Sequence, residues 1–171
     1  RKCPIITIST GGDLARLARE AGLLSWTFQH TGQPRSAVGL SFGLLLAIFE
    51  RLGLVPAQGN LIANTVKVME EQKIFLLPDV LTKSNPAKRL AGQLFGRDVV
   101  VLGSGCLAPV ARRWKGQINE LAKAWAQNEQ IPEANHNTLA GIYNPQDAFT
   151  RKTALFLRGG CDHPANRLRA D

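Results

Sequence analysis

The chain has 171 residues, with 21 Lys and Arg against 13 Asp and Glu, a formal charge of +8 and an isoelectric point near 9.9. Hydrophobic residues make up 44% and charged residues 20%, which supports a core and excludes a disordered composition. The longest near-continuous apolar run, Ala37 to Phe49, is interrupted by Gly39, Ser41 and Gly43 and falls short of the ~20 residues that span a bilayer. No membrane partner is expected, and a cytoplasmic protein is. The first residue is Arg rather than Met, which reads as a trimmed product or a fragment. The basic start Arg1-Lys2 leads only to a short β-branched run, so no signal peptide is read there.

The basic residues come as Lys88-Arg89, Arg112-Arg113 with Lys115, Arg151-Lys152 and Arg167 with Arg169. They form no long blocks and do not alternate with aromatics as base-stacking platforms do. No nucleic-acid partner is therefore expected, and the charge suits a small anionic substrate such as a sugar phosphate. Cys3, Cys106 and Cys161 are odd in number and widely spaced, with no C-x-x-C. They read as reduced thiols, forming neither a disulfide framework nor a zinc knuckle.

In chain order, Pro4 to Ser9 is a β-branched run that predicts a buried strand. Thr10 to Asp13 turns into a helix with Leu14, Leu17, Ala18 and Ala21 at apolar spacing, stopped by Gly22. Leu23 to Phe28 predicts a second strand. Pro34 opens a helix over Arg35 to Leu52 that is apolar on nearly all sides, so it is expected to be buried or to pack against a partner. Pro56 to Asn60 is the best internal break. Leu61 to Leu77 predicts a helix, and Asn85-Pro86 predicts the capped start of another, with Leu90 and Leu94 inward and Gly96 at its end. Val99 to Leu102 is a continuous apolar strand of the kind covered on both faces, followed by a Gly103-Ser104-Gly105 turn. Leu107 to Asn128 predicts one long helix whose apolar face runs from Leu107 through Trp114 to Trp125. Thr153 to Leu157 predicts a last strand, and His163-Pro164 opens a final helix. This order argues an α/β protein with parallel sheets flanked by helices.

Ligands of open α/β sheets gather beyond the carboxyl ends of the strands. That rule selects the Ser9–Gly12 and Gly103–Gly105 turns, whose backbone N–H groups suit an anion. Gly-Ser-Gly matches neither the dinucleotide nor the P-loop spacing, and a tight turn needing Gly explains either site equally well. Arg113, Gln117 and Glu120 share a helical stripe. Glu120 is either a solvated partner of Lys123 or Arg113, or a carboxylate general base held on a rigid helix. Asn135-His136-Asn137 lies in a loop after Pro132, where His136 is either solvated or a proton shuttle near neutral pH. His30 and His163 have no such company. No grouping of His, Cys and carboxylate has metal-ligand spacing, and no serine sits on a nucleophile elbow.

Specific strings then occur in order: Ser9 to Ala15 with Ala18-Arg19-Glu20, Gln33 to Ala37, Gly103-Ser104-Gly105, Leu107 to Glu120, Ala122-Lys123, Pro132-Glu133 and Asn135-His136-Asn137. Together they resemble the bifunctional phosphoglucose/phosphomannose isomerases, a family built from sugar isomerase (SIS) domains, from about Pro4 to about Asn166. The resemblance implies flavodoxin-like three-layer domains and a metal-free, cofactor-free isomerisation of glucose 6-phosphate or mannose 6-phosphate to fructose 6-phosphate. It implies that residues 1–55 are the end of a first SIS domain, 56–92 a helical connector and 93–171 a second SIS domain cut at its C-terminus. Glu120 then matches the base that moves a proton between C1 and C2 through a cis-enediolate. His136 matches the ring-opening residue, reaching the site from the other subunit of a homodimer. Arg35 matches the substrate-binding arginine that stabilises the enediolate oxygens.

The family's phosphate-cradling Gly-Gly-Ser turn and Ser-x-Ser-Gly-Asn-Thr loop would precede Arg1, and its C-terminal lysine would follow Asp171. Thr138 stands where the family often has Glu, and Trp125 to Gln130 drifts from its pattern. The alternative reading is a non-catalytic SIS module that binds a phosphosugar and regulates a partner.

Overall fold

Residues 3–171 are described by a computed structural model, so Arg1-Lys2 lies outside the described residues. The chain divides into two units, residues 1–65 and 66–171.

In the first unit the β-branched run forms β1 (Ile6–Ser9), and the Gly-Gly turn feeds α1 (Gly12–Glu20). β2 (Leu24–Thr27) returns parallel to β1, pairing Ile6 with Leu24 through Ser9 with Thr27. The buried residues of α1 are Ala15 and Ala18, whereas Leu14 and Leu17 are exposed. Of the predicted stripe Leu14, Leu17, Ala18 and Ala21 only Ala18 is buried, with Ala15 beside it, so the face turned inward is the small-residue one, which lets the helix backbone approach closely. Arg16 holds the outer surface by bonding Asp13 and Glu20.

Pro34–Ser36 forms a separate 3₁₀ turn, so the next helix, α2 (Val38–Arg51), starts later than expected. No α2 residue is buried, and Phe42 is 67% exposed. Of the two expected placements of this apolar helix, burial fails for the described residues, and packing against a partner is the one left. Arg51, at its last turn, stacks 4.9 Å above the Trp26 ring of β2, a cation–π contact that ties helix to sheet. Glu50 accepts the Gln58 backbone N–H, bracing the turn into α3 (Gly59–Leu76), which runs from the first unit into the second.

In the second unit, Asn85 caps α4 (Pro86–Leu94): its side chain accepts the Lys88 N–H at 3.1 Å and donates to Leu77 O, and it is almost wholly buried. This is the cap-then-Pro start read from the sequence, where a side-chain oxygen satisfies a helix N–H that has no partner of its own. β3 (Asp98–Ser104) follows, then α5 (Ala108–Gln117) and a π-helical turn, Ile118–Ala122. β4 (Ala126–Ile131) comes next, then two single turns, α6 (Glu133–His136) and α7 (Gln146–Phe149), then β5 (Lys152–Phe156) and α8 (Pro164–Ala170). The sheet order is β4-β3-β5, all parallel.

β3 has both faces covered. Val99 and Val101 pack with Ala111 of α5 and Ala126 of β4, against Leu94, Ile118 and Leu155. Leu102 packs with Ile131 and Ala134 of α6, against Val100 and Ala170 of α8. Parallel strands tolerate such continuous apolar sequence because crossover helices cover both faces. The α/β class with parallel sheets flanked by helices is therefore the observed architecture.

Three local expectations change. The long helix does not reach Asn128. It ends at Ala122, where Lys123 turns left-handed (φ 53°) and the Asn119 side chain donates to Ala124 O. Trp125 leaves the helical face, and Ala126 to Ile131, a polar run that looks helical, becomes an edge strand because β3 supplies its backbone partners. Gly103 and Ser104 belong to β3 rather than to the turn. A Cβ at Gly103 would stand 2.5 Å from Leu107 O, so the tight passage into α5 admits only glycine. Asn135 and His136 sit on α6 rather than in a loop.

Val101 is fully buried, so Val101→Ala is expected to lower unfolding stability by about 2 kcal/mol, from lost methyl burial and the cavity left. Phe95→Ala, at 89% exposed, is expected to change it by less than about 0.5 kcal/mol. Urea unfolding of the two variants measures the difference.

Candidate active site

Arg35 sits at the centre of the Pro34–Ser36 turn, and its side chain is half-buried. The turn is braced from its own neighbourhood. Ser36 Oγ donates to Gln33 O at 2.7 Å, and His30 Nε2 lies 3.0 Å from the same carbonyl and 3.3 Å from Ser36 Oγ. Gly32 lies under this knot, where a Cβ would approach Ser36 Oγ to 2.9 Å. His30, set aside in the sequence for lack of company, thus serves the positioning of the Arg35 turn. In the Ser9–Gly12 turn, the Gly11 N–H is already taken up by Ser9 Oγ at 3.3 Å.

In the second unit, α5 buries Ala108 and Ala111 against the sheet and presents Arg113 and Gln117 half-buried along its flank. Glu120 follows on the π-helical turn and is exposed. The wider turn shifts the phase of the helix just where the stripe Arg113–Gln117–Glu120 ends, and π-turns inside α-helices occur often at functional positions. Beside this turn an open cleft of about 650 Å³ is lined by Lys115, Asn119, Lys123, Trp125 and Gln127.

His136 is the last residue of α6 and is exposed. Its neighbour Asn137 donates from Nδ2 to Glu133 Oε1 at 2.8 Å, and Thr138 Oγ1 donates to Asn137 Oδ1 at 3.0 Å. These bonds of Glu133, Asn137 and Thr138 brace the single helical turn that presents His136. Thr138, which departs from the family pattern, completes that chain of bonds.

The topology separates the two groups. Glu120 precedes the first residue of β4 and His136 follows its last. The six residues of β4 span about 17 Å at the usual rise per residue. Glu120 therefore lies at the amino edge of the sheet and His136 at its carboxyl edge, and one copy of this unit does not bring them together.

The carboxyl edge of β3 and β5 carries a cluster that the sequence reading missed. Ser104 Oγ donates to Asp162 Oδ1 at 2.5 Å, and the Gly159 N–H donates to Asp162 Oδ2 at 2.9 Å. Arg167 donates to the Asp162 and Gly160 carbonyls. Both Ser104 and Asp162 are buried. The Ser104 hydroxyl, then the Gly159 amide, hold the Asp162 carboxyl below its usual 3.8; burial opposes them, and the nearby Arg167 and Arg158 charges assist.

At the same edge the sulfurs of Cys106 and Cys161 are brought against each other, 55 residues apart in sequence and with their Cα atoms 7.2 Å apart. Separation in sequence concealed that these two cysteines meet, because the connections after β3 and β5 come together here. Cys3 is free and exposed. The Gly159-Gly160 pair before Cys161 was the one local signal of a tight connection there. Among the described residues, no cluster of three or more His, Cys, Asp and Glu could hold a metal ion.

Residues 83–171 match the family model of the bacterial phospho-glucose isomerase C-terminal SIS domain. Over 168 residues the chain is 36% identical to a bifunctional phosphoglucose/phosphomannose isomerase of Caldicellulosiruptor bescii, covering 98% of this chain and 50% of that protein. A protein of the same name from Aquifex aeolicus is 28% identical over 166 residues, covering 97% and 48%. A D-glucosamine-6-phosphate 4-epimerase of Sulfolobus acidocaldarius is 28% identical over 142 residues, covering 83% and 42%. The chain spans about half the length of the curated relatives it matches.

The lowered value of Asp162 carries a sign for stability. The carboxylate is stabilised by folding, so its contribution is fully present above the unfolded-state value near 3.8 and is lost as pH falls through the lower folded value. Thermal melts from pH 7 to pH 2.5 are expected to show a steeper acid loss for the native protein than for Asp162→Asn.

Proposed function

Because the chain belongs to the bacterial phospho-glucose isomerase C-terminal SIS-domain family, we propose that it is part of an aldose–ketose isomerase. The enzyme interconverts glucose 6-phosphate, and mannose 6-phosphate, with fructose 6-phosphate. The supporting observation is the family match over residues 83–171, the stretch that contains both Glu120 and His136. In this reading residues 1–55 complete a first SIS domain, 56–92 connect, and 93–171 begin the second. No described helix is long and apolar enough to cross a membrane, and we place the enzyme in the cytoplasm.

The proposed chemistry follows from the side chains. His136 passes a proton to the ring oxygen as the C1 hydroxyl loses one, opening the sugar. The Glu120 carboxylate then takes the proton from C2 of the open aldose, leaving a cis-enediolate between C1 and C2. Arg35, held by the His30–Gln33–Ser36 knot, offsets the charge that develops on the two oxygens. The O2 proton passes to O1, and Glu120 returns its proton to C1, which gives the ketose. No step needs a metal or a cofactor. The separation of Glu120 and His136 by the length of β4 supports a homodimer in which each site draws its histidine from the partner subunit. The exposure of both residues leaves them open to such an arrangement.

In a longer protein containing this chain, Glu120→Gln is expected to lower kcat for fructose 6-phosphate by 10³-fold or more with Tm unchanged. Full retained turnover removes Glu120 as the base. Substrate binding without turnover by the unaltered longer protein favours the regulatory module instead. Formation of the 4-epimer from glucosamine 6-phosphate favours the activity named for the Sulfolobus relative.

The shared site has its own test. Glu120→Gln and His136→Ala homodimers, each inactive, are unfolded, mixed in equal amounts and refolded together. Random pairing leaves intact one site in every mixed dimer, so about a quarter of native activity is expected to return. No return of activity in a mixture shown to contain mixed dimers refutes the sharing.

A further inference from the structure

We propose that Cys106 and Cys161 form a reversible thiol–disulfide site, oxidised by small disulfides of the glutathione type and reduced by the corresponding thiols. The site ties the entry of α5 to the β5–α8 connection. Both cysteines are exposed, so solvent thiols and disulfides reach either sulfur, and exposed disulfides are the labile ones.

The two segments do not depend on the bond to stay together. Beneath it the buried Ser104–Asp162 hydrogen bond joins the end of β3 to the same connection, and Asp162 also holds the Gly159 amide. Reduction therefore leaves two thiols facing one another, ready to close again, rather than two strands adrift. Arg167 bonds the carbonyls of Gly160 and Asp162, the residues on either side of Cys161. Its guanidinium thereby pins the backbone on both sides of Cys161.

The exchange balances without any group beyond the small disulfide. The Cys161 thiolate attacks one sulfur of R–S–S–R, forming a mixed disulfide and expelling one thiolate. The Cys106 thiolate then attacks Cys161 Sγ, forming the protein disulfide and expelling the second. Two protein thiols lose two electrons and two protons, and the small disulfide gains them as two thiols. Cys106 lies in the Gly105–Leu107 turn that leads directly into α5, so the oxidised form restrains the start of the helix whose far end leads to Glu120.

The experiment equilibrates the protein in glutathione buffers of graded redox ratio, quenches with acid, alkylates and weighs the peptides. The fraction of a Cys106–Cys161 cross-linked peptide is expected to rise with glutathione disulfide and to reverse with reduced glutathione, while Cys3 stays outside the bond. The oxidised form is expected to melt about 5–10 °C higher, as closing a long loop predicts. In Cys161→Ser the cross-link and the melting shift disappear together. Cysteines that remain alkylatable at every ratio, or that take up a glutathione each, overturn the proposal. So does a cross-link that persists at the most reducing ratio, which would make the bond permanent. None of these readouts needs turnover, so failure of the isomerase reading would leave the result intact.

Discussion

Burial of β3 on both faces is the constraint from which the second unit follows. A strand that carries Val99, Val100, Val101 and Leu102 in succession has no face to give to water. It needs a layer of helix on each side and a paired strand at each edge. α5 and α4 supply one layer, and α6 with α8 supplies the other. Small residues do much of this work: Ala111 and Ala134 bring helix backbones close enough for the valines and leucine to fill the space between. The Gly103 passage follows from the same closeness, since the chain leaving β3 must turn at once to lay α5 across the sheet.

That layering distributes chemistry between two edges. Every parallel strand starts at one edge and ends at the other, so residues that follow β3, β4 and β5 gather at the carboxyl edge. There stand the Ser104–Asp162 bond, the cysteine pair and His136. A residue at the far end of a crossover helix is carried back to the amino edge, and Glu120 is such a residue. The proposed base and the proposed ring-opening histidine are therefore separated by the architecture itself rather than by a local distortion. In the proposed reading, a site that uses both is therefore assembled from more than one copy of the unit.

Much of this was legible where the signal was local. The β-branched and valine runs predicted β1 and β3, Asn85-Pro86 predicted the α4 cap, and His163-Pro164 predicted α8, whose first turn His163 caps through Nδ1. What depends on distant partners was not legible. Ala-Gln-Asn-Glu-Gln-Ile has no strand signal of its own, and β4 exists because β3 offers it a ladder. α1 shows the same limit, since spacing cannot tell a leucine face from an alanine face until the neighbouring strands decide how close the helix may come. Ser104 and Asp162 lie 58 residues apart in sequence, and each looks ordinary alone. Glu120, His136 and Arg35 were singled out by resemblance and by residue chemistry. The π-turn under Glu120 and the histidine knot under Arg35 needed coordinates.

The parallel pairing of β3 also sets an order of events during synthesis. Its partner β4 emerges soon after it, but β5 and the Ala170 side of α8 come much later, and an N-to-C growing chain supplies them last. Until then one edge of β3 has no ladder and the Leu102 face lacks part of its cover. The nascent chain therefore carries an apolar, half-paired strand through most of the synthesis of this unit. Such a strand is a natural substrate for chaperones, and slow passage of the ribosome between Ile131 and Phe156 would lengthen its exposure.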